Sequence, residues 1–365
     1  MRRVIDISPE DTVRRVKKVG RYHLALFVLP ALSLLFYGWL RAPHLNERPD
    51  NPQRVAPLRL RGSILDRADR PLALVQGTER IYPQGESVGS LVGYHLRGRN
   101  QSGLEAALQE RLSPSLPPNS LTSALRQDRE AREGKPRLRG PDVKLTLDAS
   151  LQEQIFDSLK GVVGAVAVAD HQGRILAAVS SPSFDSNQVR EEWQDLRNDP
   201  GDPFIERVGS GLYPVTAPAG QGLFEPAALA QHNWFVDNPY PGYPVSSAAL
   251  MLDDRLLLTP LMLLEMSYWL SGIRPSPELH LLSDHQPSKG HTPLELSESL
   301  SVGAQESWVL GGPPFRDSPE FEVVIGTVEK NLFYALVVEN KNTDTDRLRR
   351  QIERLLKKVV GAGEL

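Results

Sequence analysis

Gly164-Ala-Val-Ala-Val-Ala-Asp170, then His171-Gln-Gly173, then Arg174-Ile-Leu-Ala-Ala-Val-Ser180, read as two strands joined by a tight turn. Apolar residues fill both runs, and glycine and polar residues gather at the junction, which is the pattern of a β-hairpin. Upstream, Asp148 precedes a segment whose apolar residues Leu151, Ile155, Phe156 and Leu159 recur at about a 3.6-residue spacing, so it is expected to cap a helix. Downstream, Phe321 to Ile325 and Leu332 to Glu339 read as two more strands of a buried sheet. Asp344 to Val360, with Leu348, Ile352, Leu355, Leu356 and Val359 on one face, reads as a closing amphipathic helix. Strands at both ends of this region, helices between them and a closing helix agree with an α+β class.

The chain has 365 residues, room for two domains, and its net charge of −3 gives no reason to expect a nucleic-acid partner. There are no cysteines, which excludes disulfides and thiolate chemistry. Leu24 to Leu40 is a run of 17 residues without charge, which just reaches the lower limit for crossing a bilayer. Tyr22, Tyr37 and Trp39 flank it, where amphipathic rings prefer the interface. Seven Lys or Arg precede it (Arg2, Arg3, Arg14, Arg15, Lys17, Lys18 and Arg21) against three just after it (Arg41, Arg48 and Arg54), which orients the N-terminus to the cytoplasm. A cleaved signal peptide would need a small-residue cleavage site, and neither Phe36-Tyr-Gly38 nor Gly38-Trp-Leu40 supplies a convincing one. A retained single-pass anchor in a bacterial plasma membrane, with the bulk of the chain outside, is the expectation. Pro30 in mid-span could kink the helix and free a carbonyl that a neighbouring membrane protein would satisfy.

Beyond a proline-rich stem lies Arg61-Gly-Ser-Ile-Leu-Asp-Arg-Ala-Asp-Arg-Pro-Leu-Ala73. It resembles the Arg-Gly-x-Ile-x-Asp-Arg-x-Gly-x-x-Leu-Ala signature that opens the pedestal of the class B penicillin-binding proteins, with Asp69 in the place of a glycine. The resemblance continues in order. Arg80-Ile-Tyr-Pro83, Leu91-Val-Gly-Tyr94 and Gly103-Leu-Glu105 look like further pedestal segments. Lys144-Leu-Thr-Leu-Asp148 through Gln152, Ser180-Ser-Pro-Ser-Phe-Asp185 with Asn187, and Leu258-Thr-Pro-Leu-Met-Leu-Leu-Glu265 are similar to stretches of the transpeptidase domain. The family's organisation then implies a cytoplasmic tail (1–21), a transmembrane helix (22–41), a stem with a dimerisation-like pedestal (42–140) and a truncated β-lactamase/transpeptidase-like domain (141–365) built on a central antiparallel sheet.

The family's chemistry, however, is missing. Acyl transfer through a serine ester needs a serine and, one helical turn later, a lysine, together with a Ser-x-Asn loop and a Lys-Thr-Gly strand. Gly211-Leu-Tyr-Pro-Val-Thr-Ala-Pro-Ala-Gly220 resembles the nucleophile segment but carries Ala217 and Gly220 at the two positions. None of the ten lysines has a serine three residues before it, and Ser-x-Asn occurs nowhere. The Lys-Thr-Gly position reads Val324-Ile325-Gly326. Loss of a nucleophile alone costs on the order of 10⁶ in rate, and here three sites are lost together.

Other chemistry is weak. Gly85-Glu-Ser-Val-Gly89 fits Gly-x-Ser-x-Gly without a strand before it, and His280, Asp284, His285 and His291 lack metal-ligand spacing and read as solvated surface groups. The sequence implies no metal and no cofactor. The resemblance implies a pseudo-transpeptidase that scaffolds or regulates peptidoglycan synthesis. Its partners would be a polytopic SEDS-type glycosyltransferase and a second, catalytic penicillin-binding protein, met through the membrane span and the pedestal. Arg61, Gly62, Asp66, Arg67, Gly103 and Glu105 are the candidate pedestal or partner residues. Internal salt bridges are an equally good reading for the charged ones. Two alternatives stay open: a divergent transpeptidase or carboxypeptidase using Thr216 or Thr327, and a sensor of peptidoglycan fragments.

Overall fold

The computed structural model describes residues 9–36, 60–77, 79–96, 100–114, 139–215, 250–252, 255–273, 276–285, 307–309, 321–339 and 343–363. Two compact units divide the chain, residues 1–58 with 116–138 and residues 59–115 with 139–365. In the first, α1 (Pro9–Leu35) is a 27-residue helix with Pro30 inside it. Its basic N-terminal turns and the uncharged residues that follow form one continuous helix. Leu26, Phe27, Val28, Leu32 and Phe36 are exposed. No helix among the described residues is long and apolar enough to cross a membrane. The uncharged run at 24–40 lies partly outside the described residues, since α1 ends at Leu35.

The second unit begins with a small sheet of order β3-β2-β1-β4, made of β1 (Ile64–Leu65), β2 (Pro71–Gln76), β3 (Glu79–Ile81) and β4 (Val143–Lys144). The first three strands are antiparallel neighbours, whereas β4 joins β1 in parallel, with Ile64 opposite Val143. The short helices α2 (Glu86–Val92) and α3 (Gly103–Ala107) follow β3 in the chain.

The expected hairpin is β5 (Gly164–Asp170) and β6 (Ile175–Ser181). They form one side of a five-stranded sheet, order β10-β11-β12-β5-β6, in which every pairing is antiparallel. Its other strands are β10 (Ser307–Val309), β11 (Glu322–Val328) and β12 (Leu332–Val338). The strands lack a polar alternation because both faces are covered. One face presents Ala165, Ala167, Ala169, Ile325, Phe333 and Ala335 to α7 (Pro260–Leu270). The other presents Val166, Val168, Val324, Tyr334 and Leu336 to α4 (Ala149–Ser158) and α8 (Thr345–Gly361). The alanines leave space for α7's large rings, and Tyr268 stacks on Phe333 with centroids 4.0 Å apart.

The Asp148 cap falls where the sequence puts it, and two further caps accompany it. Asp148 accepts from the Ser150 and Leu151 amides, and Asp344 from Arg347. Thr259 accepts from Met262, with Pro260 at the first position of α7, all of whose residues are buried. Between β6 and α7 the described chain forms α5 (Val189–Asn198), α6 (Arg207–Ser210) and a three-stranded sheet of β7 (Tyr213–Val215), β8 (Leu250–Leu252) and β9 (Arg255–Leu258), in the order β7-β9-β8.

Candidate functional site

Beside the small sheet, one fully buried carboxylate lies between two buried arginines. Arg61 Nε sits 3.0 Å from Glu105 Oε2, and Arg80 Nε donates to Oε1 at 2.6 Å, the guanidinium side chains being 9% and 5% exposed. Arg61 also donates to the Glu105 carbonyl at 2.7 Å and to Gln109, and Arg80 to the Gly62 carbonyl at 2.7 Å. Two charges of one sign against one of the other, away from water, need further acceptors: Arg61 Nη2 and Arg80 Nη1 find carbonyls, whereas Arg80 Nη2 meets no acceptor among the described residues, and Arg61 Nε faces Glu105 Oε2 without hydrogen-bond geometry. Burial pulls Arg61 below the usual guanidinium value, with Glu105 opposing it. Burial, then the Glu105 charge, pushes the Tyr82 phenol up. A cleft of about 430 Å³ opens here, lined by Arg61, Arg80, Tyr82, His95, Asn187 and Arg190 among others.

The two glycines of the candidate set are explained by close approach. A Cβ on Gly62 would lie 1.8 Å from the Pro141 carbonyl oxygen, and Gly103, at φ +59°, backs onto Gly93. Asp66 is fully buried and organises the next turn. Its Oδ1 accepts from the Ala68 and Arg70 amides at 2.8 Å each, and Arg70 bridges Asp66 and Asp148 at 2.7 Å to both. The signature thereby ties the small sheet to the N-terminus of α4. Asp69 keeps the left-handed conformation that suits a glycine, at φ +64°, so the departure from the signature strains the turn without abolishing it. Arg67 differs from the rest. Its amide donates to the Leu147 carbonyl at 2.8 Å, but its buried Nη1 meets no acceptor among the described residues.

Ala217 and Gly220 lie outside the described residues. The described start of their segment is strand: Tyr213–Val215 pairs with β9, Tyr213 opposite Leu258. A buried polar network fixes it, with the Tyr213 hydroxyl donating to Glu339 at 2.7 Å and Arg207 pairing with the same carboxylate at 3.1 Å. Glu206 accepts from the Val208 and Gly209 amides at 3.1 and 2.7 Å. Its burial pushes the carboxyl up to about 7, against the pull of those bonds. Arg70, Arg80, Glu206, Arg207 and Glu339 carry no signal of their own in the sequence, because their partners are set by tertiary contact.

Val324, Ile325 and Gly326 run through the middle of β11. Val324 and Ile325 are buried on opposite faces, each in its own core cluster, and Gly326 leaves the space taken by the Tyr334 ring. Thr327 and Lys330, at the nucleophile-and-lysine spacing, sit on a strand and on the turn after it, where Lys330 has φ +55°. A strand sends residues three apart to opposite faces, so this pair lacks the geometry that one helical turn provides. Thr327 Oγ1 is buried with no partner among the described residues. Ser87, of the Gly-x-Ser-x-Gly match, donates to the Gln84 carbonyl at 2.9 Å.

The histidines depart from the expectation of solvated groups. His280 and His285 are half-buried and stacked with centroids 4.5 Å apart, and Asp284 pairs with Arg111 at 2.5 Å. The two imidazoles are partly withdrawn from solvent because residues 279–283 close against β4 and β6 through backbone bonds, while Asp284 stays exposed as expected. His291 lies outside the described residues. Among the described residues no group of three or more His, Cys, Asp or Glu could hold a metal ion.

The chain matches no protein-family model. It is 27% identical over 212 residues to "Penicillin-binding protein 3" of Bacillus subtilis, a match covering 48% of this chain and 31% of that protein. It is 42% identical over 85 residues to "Peptidoglycan D,D-transpeptidase MrdA" of Salmonella typhimurium, covering 22% of this chain and 14% of that one. The matches thus span less than a third of these relatives' own length. Among solved structures, PBPA from Mycobacterium tuberculosis superposes with a TM-score of 0.57 at 17% identity, over 82% of this chain and 99% of that one. The chain's relatives are class B penicillin-binding proteins, as the signatures implied, and its fold is the transpeptidase-like α+β fold with antiparallel sheets.

Proposed function

We propose that this protein is a non-catalytic, penicillin-binding-protein-like scaffold or regulator of peptidoglycan synthesis, which pairs through its N-terminal helix and pedestal with a SEDS-type glycosyltransferase. The observation that carries the reading is the contrast within one compact unit. The Arg61–Glu105–Arg80 cluster keeps three buried charges in contact, while the strand that should carry Lys-Thr-Gly is apolar and filled on both faces. An ammonium at Val324 would be stranded in an apolar cluster, where an unpaired charge is costly. The exposed apolar residues of α1 support an anchor or a membrane-embedded partner. A homologous relative bearing a transpeptidase name supports a role in the same polymer's synthesis.

The test is co-purification of the full chain from membranes, followed by polymerisation of lipid-linked precursor with and without it. The reading expects a polytopic membrane protein in the complex and a changed polymerisation rate. If no such protein accompanies the chain, the reading falls.

A further inference from the structure

Arg67, Lys144, Arg174 and His280 line a second cleft, of about 250 Å³, together with Thr146, Leu176 and Ser283. Among the described residues no carboxylate lines it. This cleft is distinct from the Arg61–Glu105–Arg80 cluster and from β11, and neither the fold nor the proposed function uses it.

The segments that carry the four basic residues are stitched together by main-chain bonds. The Arg67 amide donates to Leu147, Ser283 to the Lys144 carbonyl at 3.0 Å, His280 to Gly173 at 2.9 Å, and Ile175 to the His280 carbonyl at 3.0 Å. Arg174 and His280 are bridge partners in neighbouring segments. The basic groups are therefore held together by the backbone before any ligand arrives, which lowers the entropic cost of binding.

Their own charges are only partly answered. Arg174 pairs with the buried Asp170 at 2.5 Å, and Lys144 with the exposed Asp69 at 2.8 Å. Arg67 has no acidic partner among the described residues, and its buried Nη1 has no acceptor. The hydroxyls of Thr146 and Ser283 are committed as donors to the Ile175 and Leu145 carbonyls at 2.7 and 2.9 Å. What the cleft offers a ligand is thus cationic N–H donors, with guanidinium groups suited to bidentate oxyanions. His280 Nδ1 meets the Glu278 carbonyl at 3.0 Å.

We propose that the Arg67–Lys144–Arg174–His280 cleft binds a phosphate group, either as free phosphate or as the phosphate of a larger molecule. The cleft favours phosphate over chloride, because the paired N–H groups of Arg67 and Arg174 reward an anion with several oxygens. Asp69 competes for Lys144, and it is the turn residue that departs from the family signature.

The experiment uses the full chain in detergent, titrated with inorganic phosphate and with chloride at matched ionic strength, and read by calorimetry and by the rise in Tm that a ligand of the native state produces. Wild type is expected to bind phosphate at least tenfold more tightly than chloride. Arg67→Ala, which removes a side chain whose buried Nη1 has no acceptor among the described residues, is expected to lose about tenfold in affinity at unchanged basal Tm. Asp69→Asn, which tolerates the same backbone and releases Lys144, is expected to bind several-fold more tightly, an outcome that misfolding cannot imitate. A parallel arm with phosphatidic acid vesicles against phosphatidylcholine vesicles tells a lipid phosphate from a free one. Phosphate binding no tighter than chloride binding, or equal phosphate affinity in wild type, Arg67→Ala and Asp69→Asn, would overturn the proposal.

Discussion

The small sheet and the strand β11 lie in one compact unit, and they treat charge in opposite ways. At the small sheet two arginines and a glutamate are buried together, an arrangement that a set of well-packed apolar side chains could match or exceed in stability. In β11 the position expected to hold a lysine is valine, and both faces are closed by apolar packing. The proposed scaffold role rests on this difference: a buried charge cluster at the small sheet, and apolar packing where the resemblance expects a lysine.

The largest effect should come from breaking the charged side. Glu105→Ala leaves Arg61 and Arg80 buried without their carboxylate and should cost ~3–5 kcal/mol. Urea unfolding measures it, and a loss under about 1 kcal/mol, the range of an exposed ion pair, would mean that the cluster is solvated after all. Rebuilding the other side should also fail. Val324→Lys with Ile325→Thr restores Lys-Thr-Gly, yet it drives an ammonium among Leu348, Ile352 and Leu356 and should destabilise by several kcal/mol. If that variant were as stable as wild type, β11 would be a cleft strand rather than a core strand.

Glu206 sharpens the comparison near the segment that holds Ala217. Its carboxyl is raised from 4.5 to about 7, with burial the largest cause, so the folded protein holds a proton that the unfolded chain releases. Its stabilising contribution is complete below pH 4.5 and is lost as the pH rises through about 7. Glu206→Gln should remove that dependence, a relative gain on the order of 3 kcal/mol between about pH 4 and pH 8. Parallel stability profiles for the two proteins would show that Glu206 is solvated. The smallest effect belongs to Asp69→Gly, which relieves a left-handed non-glycine residue and should stabilise by about 1 kcal/mol, seen as a rise in Tm. A fall in Tm would show that the Lys144 pair outweighs the strain.

Much of the fold was legible because it rests on local rules. Asp148, Asp344 and the hairpin turn at His171 to Gly173 act within a few residues of themselves, and the apolar runs of β5, β6, β11 and β12 announce burial. The faces those strands present were not legible, since a strand covered on both sides loses its alternation. The charged network was half legible. Arg61 and Glu105 stand in recognisable motifs, but Arg80 reaches Glu105 from 25 positions away, and Arg207 reaches Glu339 from 132. Such pairings come from topology, which composition and spacing do not encode. The cleft around Arg67 was hidden for the same reason: its four basic residues come from four separate segments.

The proposed scaffold role requires that acyl chemistry has left this chain. Labelling of the full protein with a fluorescent penicillin should then give no saturable covalent adduct. An adduct that forms with wild type and disappears in Thr216→Ala or Thr327→Ala would contradict it and restore the protein to the enzymes.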